Sequence, residues 1–186
     1  MEYEELASGD SKTVERQLGR PVRGKALVAS RCPHGVVEVI ASPPMLSDGT
    51  PFPTLFWLTC PLLHREVSSL ESGDFREVLR RKMMHESGFK AALRDAEKGY
   101  VKEREEWARK LGELDKVQEY FKDRDGIGGT RAGGIKCLHA HLAHYLAKGR
   151  NPVGAEIEKE LEGIQARECE GDCVPFLKSR EAGEKP

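Results

Sequence analysis

The sequence predicts an α+β fold: a small three-stranded antiparallel sheet near the N-terminus, followed by a mainly helical C-terminal two-thirds. Before Pro61 the chain holds three short segments rich in β-formers, each bounded by Gly or Pro. After Pro61, apolar residues recur at helical spacing almost to the end.

The elements follow in order. The first residues form a charged lead-in, 1–17, around one short helix. Val14 and Leu18 lie four apart, and Gly19 can close that helix in a left-handed conformation. Lys25–Ser30, Val36–Ala41 and Thr54–Thr59 read as the three strands. The turn Arg31-Cys-Pro-His-Gly35 joins the first two, and the loop Ser42–Pro53, with four prolines and Asp48-Gly49, joins the next pair. Pro61 suits the first turn of a helix to about Leu70, and Asp74–His85 reads as another. A long helix begins near Ser87. Leu93, Tyr100, Trp107, Leu114 and Phe121, seven apart, give it an apolar stripe, and Gly112 is where it divides in two. That stripe packs on the sheet or on another helix. The sharper alternative is a protein partner bound through the helix 88–122. An apolar helix, Ile135–Lys148, and a helix capped by Asn151-Pro152 complete a single domain, 18–165, with a loosely ordered tail, 166–186.

Composition narrows the function. With 30 basic and 31 acidic residues the net charge is -1, so the chain lacks the basic excess of a dedicated nucleic-acid binder. Arg16, Arg20, Arg23, Lys25 and Arg31 still make a local basic cluster, which reads most simply as a solvated face. No segment approaches the ~20 apolar residues of a membrane helix, and Met1–Asp10 is acidic without an apolar run. A cytoplasmic location follows as an expectation. There, disulfides are disfavoured, so Cys32, Cys60, Cys137, Cys169 and Cys173 are buried, reactive or metal-bound thiols.

The densest chemistry lies in Lys136-Cys-Leu-His-Ala-His-Leu-Ala-His144. On a helix, Cys137, His141 and His144 fall within about 60° of one another, because each residue advances ~100°. Cys137 and His139 reach one ion instead if the helix starts later. Cys32 and His34 occupy a turn, and Cys60 closes the third strand. A meander brings these to one sheet edge, and thiolates with imidazoles from three places suit tetrahedral zinc. Three cysteines also suit an iron–sulfur cluster with one non-Cys position, and a Cys beside a His suits thiol catalysis. Cys169 and Cys173 are assigned no central role. Asp125–Gly134 has five glycines in ten residues before a helix. Its backbone N–H groups, with Thr130, Arg131 and Lys136, form a candidate site for a small anionic ligand, although the phosphate-loop order of residues is missing.

Arg31-Cys-Pro-His-Gly35, Asp48-Gly-Thr-Pro-Phe-Pro-Thr-Leu-Phe-Trp-Leu-Thr-Cys-Pro61, Gly133-Gly-Ile-Lys-Cys-Leu-His-Ala140 and Asn151-Pro-Val-Gly154 together resemble the bacterial family known as domain of unknown function 501. The resemblance runs from about Leu18 to Gly154. That family often has Cys-Pro-Cys-Gly where this chain has Cys-Pro-His-Gly, an exchange that keeps metal-ligand chemistry. The resemblance implies Cys32, His34, Cys60, Cys137 and His139 as metal ligands. It also implies an apolar residue at position 141, which weighs against a ligand role for His141.

The leading expectation is a mainly structural metal site, zinc favoured, that clips the sheet to the helix after the glycine-rich loop. Cys32, Cys60, Cys137 and either His34 or His139 would be its ligands. The alternatives are an enzyme whose catalytic metal or iron–sulfur cluster acts on a small anionic substrate, with Arg131 and Lys136 as its binders, and an interaction module that uses the long helix.

Overall fold

The protein is described by a computed structural model that covers residues 3–165 and Cys169. Apart from Cys169, the expected tail, and Cys173 with it, lies outside the described residues. The order of elements is β1 (Glu4–Glu5), α1 (Ser8–Leu18), β2 (Leu27–Arg31), β3 (Val37–Ala41), β4 (Phe56–Leu58), α2 (Pro61–Ser72), α3 (Phe75–His85), α4 (Ser87–Lys110), α5 (Leu114–Phe121), α6 (Leu138–Lys148) and α7 (Pro152–Leu161), with a short 3-10 turn at Ile127–Gly129. The α+β class and the antiparallel sheet agree with expectation.

The sheet has four strands rather than three, in the order β1-β2-β3-β4. The added edge strand pairs Glu4 with Val28 and Glu5 with Leu27. Two glutamates carry no β-forming pattern. Their place comes from backbone pairing and from ion pairs of Lys25 with Glu5 and Arg31 with Glu4. Between β2 and β3 the register shifts around Ser30, and β4 pairs with β3 through Val39–Leu58, Ile40–Trp57 and Ala41–Phe56.

Side chains alternate across this sheet. Val28, Ile40 and Trp57 face α1, where Val14 is buried and Gln17 donates to the Val37 carbonyl at 3.0 Å. Val39, Ala41, Phe56 and Leu58 face the main core with α2, α4, α6 and α7. The stripe of α4 also faces inward. Leu93, Tyr100, Trp107 and, on α5, Phe121 are all buried within the chain. Gly112 takes φ 72°, a left-handed conformation, and separates α4 from α5.

Helix α6 starts later than Ile135. Cys137 is extended, with φ -122° and ψ 106°, and serves as the N-cap. Its far end closes on Gly149 in the left-handed conformation. Asn151 then caps α7, its side-chain oxygen accepting from the N–H groups of Val153 and Gly154 at 3.0 and 3.1 Å. The same amide lies 3.2 Å from His141 Nδ1 and 3.3 Å from His144 Nδ1. Both histidines are therefore buried core residues. His144 stacks on Phe56 with ring centroids 5.6 Å apart.

Tyr100 ties the loop before β4 to α4. Its hydroxyl donates to the Pro53 carbonyl at 3.1 Å and accepts from the Leu55 N–H at 2.6 Å. Tyr100→Phe leaves both backbone groups without a partner in the core, so it should destabilise the fold by roughly 2–4 kcal/mol. A urea midpoint unchanged from the parent would contradict this. A second expectation concerns pH. Burial, then the nearby His141 and Lys148, hold the His144 pKa down to about 3. The unfolded chain protonates this imidazole below its ordinary pKa of about 6.5 while the folded chain does not, so stability is full above that pH and falls as the pH drops. The loss should reach about 2 kcal/mol at pH 5. His144→Asn should flatten the change in urea midpoint between pH 7 and 5, and a parent profile already flat would refute the assignment.

Candidate functional site

Among the described residues, one group of three metal-donor side chains comes together: Glu71, Cys137 and His139, whose ligand atoms all lie within 4.8 Å of one another. Glu71 lies near the end of α2, whereas Cys137 is the N-cap of α6 and His139 lies in its first turn. The extended Cys137 makes this meeting possible, because a helix begun earlier would turn its thiol away from His139.

Glu71 also caps α6. Its Oε1 accepts from the Leu138 N–H at 2.5 Å, a backbone donor with no partner inside the helix. Its Oε2 faces Arg76 at 3.3 Å. His139 is held on its outer side, with Nε2 3.1 Å from the His64 carbonyl and 3.3 Å from the Ser68 hydroxyl. The carbonyl can only accept, which assigns the ring proton to Nε2. Nδ1 faces Glu71 Oε1 at 3.5 Å, carrying a proton when the imidazole is charged and a lone pair when it is neutral. Burial opposes charge on His139, but its hydrogen bonds to Cys137 and the His64 carbonyl and the nearby Glu71 outweigh that, so its pKa is raised. The His64 ring lies 4.3 Å from that of His139, centroid to centroid.

Beside this group opens a cleft of about 520 Å³ between α3 and the segment before α6. Arg76, Arg80 and Lys136 bring three positive charges to it against one negative charge from Glu77, which pairs with Arg80 at 3.2 Å, and Met83 and Ile135 line it with apolar surface. Arg76 and Lys136 join the cleft to the donor group. The first pairs with Glu71, and the second precedes Cys137 in the chain.

The remaining expected ligands lie elsewhere. Cys32 and Cys60 line a void of about 10 Å³ together with Cys169 and Glu38. His34, on the same turn as Cys32, has Nε2 3.3 Å from the Gln165 carbonyl. The Gln165 amide donates to Glu38 at 2.9 Å and lies 3.6 Å from the Cys60 sulfur. None of Cys32, His34 and Cys60 belongs to the Glu71 group.

The glycine-rich loop uses its own N–H groups. Ala132 donates to Asp125 at 2.8 Å and Gly133 to Glu97 at 2.7 Å. Thr130 donates its hydroxyl to the Ile127 carbonyl at 3.0 Å, and Arg131 is exposed. Of these expected anion binders, Lys136 is the one that lines the cleft.

The residues that sequence reasoning missed are Glu71, His64 and Ser68. A signal existed: His64, Ser68 and Glu71 stand at i, i+4 and i+7, one face of a helix. Nothing in the sequence says that this face meets α6. A family model described as "Protein of unknown function (DUF501)" matches residues 28–159. No curated protein and no solved structure matches the chain. Among the described residues no helix is long and apolar enough to cross a membrane.

Proposed function

The chain belongs to that family of unknown function, and we propose that its Glu71, Cys137 and His139 hold a divalent transition metal, zinc favoured, in a site with one side open to a small anionic substrate. The observation that carries this is the convergence of a carboxylate, a thiol and an imidazole from two helices within 4.8 Å. Three protein ligands with a free position is the pattern of catalytic zinc, whereas structural zinc takes four. The outer contact of His139 supports the reading, since metal-binding histidines commonly donate their second N–H to a carbonyl. When bound, zinc would supply a Lewis acid and an activated water.

The chain's own residues would do the rest. The exposed Lys136 attracts the anion, and Arg76 and Arg80 assist from their ion pairs with Glu71 and Glu77, while Glu71 fixes the first turn of α6 so that Cys137 and His139 stay aimed together. A metal here would also clip α2 to α6, with α2 in place of the sheet as the second anchor. One thiol with a carboxylate and an imidazole favours zinc over an iron–sulfur cluster, which thiolates normally hold. The described cysteines are free, which suits the cytoplasmic location expected. The buried stripe of α4 leaves the reading as a partner-binding helix without support.

Elemental analysis of the purified chain should find about one zinc per molecule. Cys137→Ser and His139→Ala should each reduce the zinc at least tenfold and lower the melting temperature by several degrees, while Cys60→Ser keeps its zinc. A folded chain without metal, or zinc retained in both site variants, would sink the proposal. Zinc lost with Cys60→Ser instead would return the site to the sheet edge.

A further inference from the structure

The basic cluster near the N-terminus is not uniform. Arg31 is paired with Asp10 at 2.8 Å and Glu4 at 3.1 Å, and Lys25 with Glu5 at 2.9 Å. Among the described residues, neither Arg20 nor Arg23 has a carboxylate within 4.0 Å. These two line a cavity of about 210 Å³ with Trp57, Phe52, Ile40 and Leu46. It lies on the α1 face of the sheet, because Trp57 and Ile40 point away from the neighbours that bury Phe56 and Val39.

The walls have the chemistry of a ring-binding site. Phe52 and Trp57 stack with centroids 5.5 Å apart and planes at 24°, each covering part of one face of the other, and the pair forms the aromatic side of the cavity. The Arg20 guanidinium stands 5.3 Å from the centroid of Trp57. A guanidinium held on an indole is already oriented, so little side-chain freedom is lost when it engages an anion. The aliphatic side chains lower the local dielectric, which strengthens that engagement. Asp48, the acid that acts on Arg23 at longer range, accepts from the Thr50 N–H at 2.9 Å and is not within ion-pair distance of Arg23. The volume corresponds to about seven waters at roughly 30 Å³ each, which suits one ring or two fused rings and is small for a larger ligand.

We propose that this cavity binds a small flat anion, an aromatic carboxylate or phosphate, with its ring against the Phe52–Trp57 pair and its anionic group on Arg20 and Arg23. The site is separate from the Glu71 group and does not depend on metal there.

The test follows the two tryptophan side-chain N–H signals by NMR in the full chain. Trp57 reports the cavity, and buried Trp107 is the internal reference. The probes are quinoline-2-carboxylate, phenyl phosphate, neutral quinoline and inorganic phosphate, each taken to about 10 mM, well above a millimolar dissociation constant. At least one ring-bearing anion should shift Trp57 and leave Trp107 in place, and the difference between the carboxylate and phenyl phosphate identifies the preferred head group. Arg20→Gln and Arg23→Gln, with unchanged melting temperature, should each weaken that binding at least tenfold. Neutral quinoline and bare phosphate should bind at least tenfold more weakly than the ring anion. Equal binding by neutral quinoline would mean a purely apolar cavity, and equal binding by phosphate a plain anion patch. Either result, or no shift of Trp57 by any probe, overturns the proposal.

Discussion

The placement of α6 is the constraint on which the rest depends. It packs against β4, α2 and α7, and six of its eleven residues are buried. Gly154 lets α7 come so close that a Cβ there would collide with Tyr145 and with the His141 carbonyl. Backbone contact of this kind leaves no room to slide. Asn151 completes the lock by capping α7 while serving the two buried histidines of α6. With the body of α6 fixed, its first turn is fixed too, and Cys137 and His139 are delivered to one spot on α2.

That spot is useful because a helix start leaves backbone donors unpaired. At α6 the donor of Leu138 is taken by Glu71, so one carboxylate closes the helix and joins the donor group. The glycine-rich loop just upstream solves the same problem differently. Two of its N–H groups, those of Ala132 and Gly133, are taken by Asp125 and Glu97, and those of Gly126 and Gly134 by carbonyls of the loop itself. Glu97 is 2 % exposed, and burial raises its pKa, with the hydrogen bond from Gly133 working against that shift. The loop is thus braced by internal carboxylates, and positive charge for an external anion is found beside it, on α3 and at Lys136.

Much of this was legible in the sequence. The strands, Gly112 as a break, Pro61 as a helix start and Asn151-Pro152 as a cap all rest on local chemistry, and local chemistry survives into the fold. Strand β1 was invisible because two glutamates pair through their backbone, which no side-chain pattern announces. Reading Cys137, His141 and His144 as one stripe assumed a helix running back through Ile135. The extended Cys137 changed that angle and paired it with His139, the arrangement expected of a later start. Glu71 was unreadable for another reason. Its role comes from a contact 67 residues away, and no helical spacing encodes the partner of a face.

The charges make the same distinction between composition and position. A net charge of -1 argues against polyanion binding by the whole chain, and it says nothing about where single cations are left unpaired. In the folded chain Lys25 and Arg31 are neutralised by the acidic lead-in, which would otherwise look like spare surface charge. Arg20 and Arg23 escape because they lie on the side of Trp57, at a cavity whose lining contains no acid. On the opposite side of the sheet, Arg76 is partly spent on Glu71, while Lys136 stands exposed at the cleft. A nearly neutral protein can in this way keep two small cationic places, one aromatic and one beside a thiol, without becoming a general binder of anions. Selectivity would then come from the walls around each cation, aromatic at Phe52 and Trp57, flexible and sulfur-bearing at Met83.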